Sequence, residues 1–385
     1  PRSPAPVPVL PREFVVKIHS RCNLSCDHCY VYTSPDDRWR DEPRGMSPRI
    51  MEALAHRLTR YTARHRPPSV TVVLHGGEPL LAGVPAVSRL IGLLAAPARH
   101  TDLRLVVQTN GLLLDEAWLE LFRAHDVRVG VSLDGDREAN DRHRRHADGR
   151  SSHDAVVRAL RLLRAPRYRH LYAGVLCTVD PRNDPLRVYR GLVRHRPPRI
   201  DLLLPHANRE HPPPDHDPAT TPYARWLLTV FDQWYGAPRR ETRVRIFEDI
   251  MTMLLGGRGS SEGLGLSAPG FLVVGTGGSI ERPDSLLSAY PGAVATGTHV
   301  LTHDFDQVVP LLAPSHRGLP PAVPAGSCRR CPVGRVCGGG LPAHRYHPMT
   351  GFDNPSVYCA DLFMLITSIR ERLARDLPTV TRSTG

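Results

Sequence analysis

Three cysteines on one short loop constrain this chain more than any other feature. Cys22, Cys26 and Cys29 stand at the spacing C-x3-C-x2-C, and Tyr30 follows the third cysteine directly. The apolar segment 13–19 just before them predicts a buried strand. The thiols would therefore lie on a loop that leaves the carboxyl end of a strand, which is where α/β barrels place their active sites.

The chemistry of three thiolates favours an iron–sulfur cluster over a single ion. Cysteine thiolates hold such clusters, and a cluster of four irons held by three of them leaves one iron open to an outside ligand. A zinc ion is the alternative, because zinc usually takes four N or S ligands and His28 lies inside the loop as an available fourth.

Apolar patterns alternate between strand and helix as far as residue 204. Six strands in such an alternation predict an α/β fold with a parallel sheet and right-handed crossovers. Asp115 is expected to cap the third helix. The predicted strands are 13–19, 69–74, 103–107, 127–133, 171–179 and 200–204, and the predicted helices between them are 48–65, 84–94, 115–124, 153–164 and 184–194.

Four more cysteines lie near the C-terminus. Cys328, Cys331, Cys337 and Cys359 stand at C-x2-C-x5-C-x21-C, and four thiols complete either a [4Fe–4S] cluster or a zinc site. The eighth cysteine, Cys177, lies in an apolar strand pattern and is expected to be a small core residue.

Composition divides the chain into six predicted segments. Proline-rich stretches predict a flexible tail at 1–12 and a linker or lid at 205–222. Segments 271–274 and 279–281 predict a hairpin across a glycine-rich turn. The remaining predicted segments are an α/β domain at 13–204, bridging helices at 223–270, a cysteine-rich domain at 271–377 and a tail at 378–385.

The charge balance and the cysteine count limit the expected partners and location. The net charge is +12 and Lys17 is the only lysine, so nearly all the positive charge is arginine, which favours an acidic partner. The sequence has no basic stripe interleaved with aromatic residues that would indicate nucleic acid, and no apolar run long enough to span a membrane. Eight cysteines in a long chain suggest metal rather than disulfides and predict a reducing, cytoplasmic location.

These motifs resemble those of the radical S-adenosylmethionine (SAM) enzymes. The first cysteine motif with its following aromatic matches their signature, and Gly76-Gly77-Glu78-Pro79 at a strand end matches their GGEP motif. The second cysteine set resembles a SPASM-type auxiliary-cluster region. More finely, 14–369 resembles the FxsB-type radical SAM/SPASM family, a resemblance carried by segments 204–207, 261–266, 284–286, 337–346 and 354–359.

The resemblance implies a partial (β/α)6 barrel with two clusters and bound SAM. Cys22, Cys26 and Cys29 would hold the SAM-binding [4Fe–4S] cluster. The C-terminal set departs from the full SPASM pattern, since 279–284 has no cysteine and residue 341 is leucine, so one auxiliary [4Fe–4S] cluster is expected. The GGEP motif would bind the amino group of SAM, and Ser132 and Arg144 its carboxylate. The full set of implied cofactor contacts is Tyr30, Gly76, Gly77, Glu78, Pro79, Gln108, Ser132, Asp134 and Arg144.

The function implied is modification of a ribosomally made precursor peptide. A 5′-deoxyadenosyl radical would remove a β-hydrogen, and the β-carbon would join an aromatic ring carbon two residues away in a cyclophane. The alternatives are a thioether or ether crosslink, epimerisation, sulfatase-type oxidation of Ser or Cys, and a non-enzymatic iron–sulfur or zinc protein. An electron donor such as a flavodoxin or ferredoxin is an implied partner, and no nucleic acid is.

The sequence leaves the general base unassigned. Asp284, Asp353 and Asp361 flank the cysteine-rich region. Most carboxylates in such positions are surface or capping groups, so a structural role is expected for each.

Overall fold

A ten-stranded sheet forms the centre of the molecule, in a computed structural model that describes residues 10–266, 270–312 and 326–376. The strands are β1 Glu13–His19, β2 Ser69–Gly76, β3 Asp102–Thr109, β4 Arg128–Ser132, β5 Tyr172–Thr178, β6 Arg199–Leu203, β7 Arg243–Val244, β8 Phe271–Val274, β9 Ser279–Glu281 and β10 Ala295–His299. Strands β1 to β7 are neighbours in chain order and all their pairings are parallel.

Helices cover this sheet and connect its parallel strands. The described helices are α1 Pro48–His65, α2 Val84–Leu93, α3 Glu116–Ala124, α4 Arg137–His143, α5 His153–Arg164, α6 Pro185–Val193, α7 Pro222–Tyr235, α8 Arg245–Leu254, α9 Phe305–Val308, α10 Gly326–Arg329, α11 Gly334–Cys337 and α12 Cys359–Asp376. None of them is both long and apolar enough to cross a lipid bilayer.

The predicted α/β class and parallel sheet are confirmed, and the predicted strands and helices up to residue 204 all form. Helix α1 has its predicted bounds and buries one apolar face that includes Ile50, Leu54 and Leu58. Asp115 caps α3, because its Oδ1 accepts a hydrogen bond of 3.1 Å from the Trp118 amide. Cys177 is a buried core residue, 1% exposed.

The sequence did not predict the short helix α4, the strands β7 and β10, or the long C-terminal helix α12. Helix α4 begins at its cap Asp136, whose carboxylate accepts from the Ala139 amide. It ends just before Arg144, so this helix sets the position of one implied SAM contact.

The predicted hairpin forms, but it belongs to the barrel sheet. Strand β8 pairs in parallel with β1, with Val274 opposite Val16, and β9 then pairs antiparallel with β8. The division predicted at 270/271 therefore falls between elements that share one hydrogen-bonded sheet. Segment 205–222 has no helix or strand before α7 begins at Pro222. Most of the predicted N-terminal tail (1–9) and the C-terminal tail (378–385) lie outside the described residues.

Candidate active site

The cysteine loop leaves β1 as predicted, and its three thiols are free and partly buried. Burial raises the pKa of Cys22 to about 11 and that of Cys26 to about 12. The Cys29 thiol also raises the pKa of both Cys22 and Cys26, and the Cys22 thiol raises that of Cys26, which means that the sulfur atoms lie near one another. Cys22 Sγ accepts a hydrogen bond of 3.6 Å from Asn110 Nδ2 at the end of β3.

The donor set fits an iron–sulfur cluster better than a single ion. Among the described residues, the one group of three ligand-type atoms close enough to share an ion is Asp27, His28 and His143, all within 4.8 Å. Neither set of cysteines forms such a group. His28 lies with the carboxylates, its Nε2 3.6 Å from Asp134 Oδ2, rather than with the thiols as the zinc alternative requires.

The glycines of the GGEP motif allow β2 to end against the cysteine loop. A Cβ at Gly76, whose φ is +143°, would lie 2.1 Å from the His19 carbonyl oxygen. A Cβ at Gly77 would lie 1.8 Å from Tyr32 Oη. The amides of Gly77 and Glu78 donate to the carbonyls of His19 and Arg21. The motif therefore holds the loop against the sheet.

Glu78 connects two strand ends. Its Oε1 accepts from Thr109 Oγ1 at 2.7 Å and from the Leu80 amide at 3.0 Å, while its Oε2 accepts from the Asn110 amide at 2.8 Å. Burial raises the pKa of this carboxyl to about 7. Neighbouring groups already occupy three of its acceptor positions, so its implied bond to the amino group of SAM remains a prediction.

The other implied SAM contacts form two pairs at the ends of β3 and β4. Gln108 Nε2 donates to Ser132 Oγ at 3.0 Å. Arg144 Nε donates to Asp134 Oδ2 at 2.8 Å. Burial lowers the pKa of Arg144, but Asp134 together with the nearby thiols of Cys26 and Cys177 outweighs this effect and raises it. Of the neighbouring arginines, Arg142 donates instead to Asn183, so Arg144 is the one directed toward the cysteine loop.

Tyr30 links the cysteine loop to the C-terminal region. Its Oη donates to Asp284 Oδ2 at 3.4 Å, and its ring packs against His206 at an angle of 35°, with 4.4 Å between centroids. Asp284 is 8% exposed and lies 3.1 Å from Lys17 Nζ. Burial lowers the pKa of Lys17, but Asp284 and Glu281 outweigh this and raise it. The lysine is therefore charged, and it forms an ion pair with Asp284.

A cleft of about 650 Å³ opens beside these residues. The cysteine loop at 27–35 forms one wall, the end of β5 at 178–182 another, and segment 205–214 a third. Asn208 fixes the third wall, since its side chain donates to the Ser288 carbonyl at 2.6 Å.

A histidine joins two carboxylates at the cleft wall. His143 Nδ1 lies 2.6 Å from Asp27 Oδ1, and His143 Nε2 lies 2.9 Å from Asp180 Oδ2. Burial opposes protonation, but the two carboxylates outweigh it and raise the pKa of His143. Bonded on both sides, this ring connects the cysteine loop to the loop after β5.

The four C-terminal thiols also lie together. Burial raises the pKa of Cys337 to about 12, and the thiols of Cys359, Cys328 and Cys331 raise it further. None of the eight cysteines is in a disulfide. A set of four free thiols that does not converge on one ion fits the four-iron cluster expected from the sequence.

Comparison with known proteins identifies the class. Residues 16–181 match the model of the Radical SAM superfamily. The serine-type anaerobic sulfatase-maturating enzyme of Klebsiella aerogenes is 27% identical over 366 residues, 89% of this chain and 82% of that protein. The cysteine-type enzyme of Clostridium perfringens is 26% identical over 271 residues, 68% of this chain and 70% of that protein.

Solved structures extend the likeness over the fold. The structure described as native anSMEcpe with bound AdoMet and Cp18Cys peptide has a TM-score of 0.77 and 21% identity, covering 94% of this chain and 98% of that one. Streptococcus suis SuiB has a TM-score of 0.61 and 14% identity, covering 90% and 76%. At these identities the likeness concerns the fold.

Residues 16–181 thus match the radical SAM superfamily, and the fold is that of the anaerobic sulfatase-maturating enzymes. This confirms the predicted class of enzyme and its cofactors, an iron–sulfur cluster and SAM.

Several polar residues of the site were not predicted as functional. Asn110 follows β3 in Gln108-Thr109-Asn110-Gly111, where its place at a strand end was the available signal. Lys17 could have been found because it is the only lysine in the sequence and lies inside an apolar strand. His206 and His344 stood in segments quoted only for the family resemblance, and their proximity depends on the fold.

Proposed function

We propose that this chain is a radical SAM enzyme that modifies a precursor peptide at the β-carbon of one residue, with the peptide in the 650 Å³ cleft. The observation that carries the proposal is this cleft, which opens directly beside the cysteine loop. Cys22, Cys26 and Cys29 would hold the SAM-binding cluster, and the thiols at 328–359 one auxiliary cluster. An external donor such as a flavodoxin or ferredoxin would reduce the first cluster.

When bound, the cluster and SAM supply a radical that abstracts hydrogen, and the protein positions the peptide and moves the proton. We infer that Asp284 accepts the proton that the peptide loses. Its Oδ1 lies 3.1 Å from Lys17 Nζ, and its Oδ2 accepts a hydrogen bond of 3.4 Å from Tyr30 Oη. A base contributes when its acceptor atom reaches the proton, and Asp284 lies at the junction of the cysteine loop and the C-terminal region.

Cyclophane formation is the finer proposal. The segments that carry the FxsB-type resemblance are far apart in sequence, yet they meet around one region. Ser285 Oγ donates to Glu262 at 2.8 Å, and the ring of His206 lies 6.3 Å from that of His344. Tyr358 Oη donates to the Pro205 carbonyl at 2.9 Å. Their convergence beside the cleft supports a shared role in one type of reaction.

Sulfatase-type oxidation is the second candidate, and the relatives favour it. The named relatives quoted above mature sulfatases, and one of them aligns with 89% of this chain. Both reactions would begin with removal of a β-hydrogen, and both need a base. They differ in whether the β-carbon bonds to a ring or becomes an aldehyde.

Product analysis distinguishes the two candidates. The reconstituted enzyme would be incubated without oxygen with SAM, dithionite and one of three probes: the Cp18Cys peptide, the SuiA precursor, or peptides with an aromatic residue two positions from a second residue. A cyclophane loses two hydrogens, does not react with a hydrazide, and resists fragmentation between the linked residues. An aldehyde product reacts with the hydrazide.

The variant lacking Cys22, Cys26 and Cys29 should make no 5′-deoxyadenosine, and production by that variant would refute the proposal.

The base assignment predicts a separation of two activities. Asp284→Asn should still release 5′-deoxyadenosine while peptide product falls by about 100-fold or more, the scale of a lost general base. The exposed Asp353 provides the matched control, and Asp353→Asn should keep both activities. Equal product from Asp284→Asn and wild type would remove Asp284 as the base.

A further inference from the structure

Three aromatic rings form a continuous row from the cleft to a ligand of the auxiliary cluster. His206 lines the cleft. Its ring centroid lies 6.3 Å from that of His344, which lies 4.8 Å from that of Tyr358. Tyr358 is bonded through the backbone to Cys359. The ring of Tyr30, the residue after Cys29, also packs against His206, with 4.4 Å between centroids.

Hydrogen bonds from three parts of the chain fix this row. The Pro205 carbonyl accepts from Tyr358 Oη at 2.9 Å and from the ring of His344. The Val357 amide donates to the His344 carbonyl at 2.8 Å. Tyr358 is fully buried and His344 is 4% exposed. The rings are thus held in contact rather than exposed at a surface.

Stability alone does not explain two histidines at these positions. Burial lowers the pKa of His206 to about 4 and that of His344 to about 3, so both rings are neutral. One nitrogen of each, His206 Nδ1 and His344 Nε2, is buried without a hydrogen-bond partner in the described part of the chain. An unsatisfied buried nitrogen destabilises the folded state, and an apolar ring would avoid that cost.

We propose that His206, His344 and Tyr358 form the path by which the peptide's electron reaches the auxiliary cluster. The inference rests on the proposed function. After the β-carbon has bonded to the aromatic ring, the ring radical must lose one proton and one electron. The proton goes to Asp284, and the electron reduces the oxidised auxiliary [4Fe–4S] cluster by one electron. Electron transfer weakens steeply across empty gaps, so rings in contact improve the coupling between the two ends.

The test removes and then restores the middle ring. His344→Leu deletes it, His344→Phe keeps a ring without the nitrogen atoms, and Phe352→Leu removes a buried ring that packs on Tyr346 and Tyr290, away from the row. Each enzyme would be prepared with the cluster at Cys22, Cys26 and Cys29 reduced, the auxiliary cluster oxidised and excess reductant removed. It would then be mixed with SAM and with the probe peptide that the wild-type enzyme converts. Rapid freeze-quench EPR would follow the auxiliary-cluster signal, identified as the one absent when all four C-terminal cysteines are replaced by alanine.

The expected result is reduction of the auxiliary cluster that is about tenfold or more slower in His344→Leu, because the protein's contribution is to position the redox groups. Release of 5′-deoxyadenosine should be unchanged. His344→Phe and Phe352→Leu should reduce the cluster at nearly the wild-type rate, which a general packing defect would not produce.

Two results would overturn the path while the proposed function stands. One is reduction in His344→Leu as fast as in wild type. The other is peptide modification by wild type with the auxiliary cluster still oxidised. If wild type cleaves SAM but modifies none of the probe peptides, the proposed function is contradicted, and the inference that rests on it is rejected as well.

Discussion

Lys17 shows how one residue can serve both stability and chemistry. Its Nζ lies 3.1 Å from Asp284 and 3.6 Å from Glu281, and its side chain is 14% exposed. Lys17→Met would leave Asp284 without its cation and Glu281 with Arg38 alone, which lies 3.6 Å away. Breaking a buried pair in this way costs about 3–5 kcal/mol. Thermal or denaturant unfolding should record that loss. Arg89→Met, which breaks the exposed pair with Glu52, should cost about 0–1 kcal/mol; equal losses in the two variants would contradict this account of Lys17.

The buried carboxyl of Glu262 should make the stability of the protein depend on pH. Burial raises the pKa of this carboxyl to about 7, and nearby Asp284 adds to the effect. The folded state therefore holds a proton that the unfolded state releases near its ordinary pKa of about 4.3. Stability from this group is complete below that value and falls by about 1.4 kcal/mol per pH unit until the pH passes about 7. Glu262→Gln has no proton to lose, so its unfolding free energy relative to wild type should rise from pH 5 to pH 7.5. A constant difference across this range would refute the prediction.

At the scale of elements, the loop after α11 is built on glycines in the left-handed region. Gly338 has φ +65°, and a Cβ there would lie 1.7 Å from the Gly265 carbonyl oxygen. Gly351 has φ +61° with nothing within 4 Å of its Cβ position. Gly351→Ala should therefore cost about 1–2 kcal/mol from backbone strain alone. Gly338→Ala adds a backbone clash, so it should unfold at a lower temperature and retain less auxiliary iron. Similar melting temperatures for the two variants would mean that loop 261–266 moves freely away from α11.

Hydrophobic periodicity explains which strands and helices could be predicted from the sequence and which could not. Apolar residues that repeat every two or every 3.6 positions predicted the first six strands and α1, because each of these segments buries one face. The two-residue strand β7 is too short to carry a period. Helix α4 has only two buried residues, Ala139 and Asn140, so no apolar stripe marks it. The GGEP glycines were recognisable as a motif, whereas the contacts of Glu78 with Thr109 and Asn110 depend on strand pairing across 31 residues.

At the scale of the whole molecule, the C-terminal region continues the barrel. Strand β8 lies next to β1 although more than 250 residues separate them, a pairing that no local pattern encodes. Leu272 on β8 belongs to the main core, together with Phe14 of β1. Leu286, fourteen residues later, belongs to a separate small cluster with Leu287 and Phe352. Segment 271–312 thus contributes to two cores, one of which is shared with the barrel.

This division predicts different effects from two identical substitutions. Leu272→Ala removes a fully buried side chain from the shared core and should cost about 2–5 kcal/mol. Because β8 and β1 are in one sheet, amide hydrogen exchange in α1 should become faster by a matching factor. Leu286→Ala should leave exchange in α1 near wild type and loosen only the small cluster. If Leu272→Ala instead accelerates exchange in β8 and β9 but not in α1, the hairpin unfolds independently of the barrel despite the shared sheet.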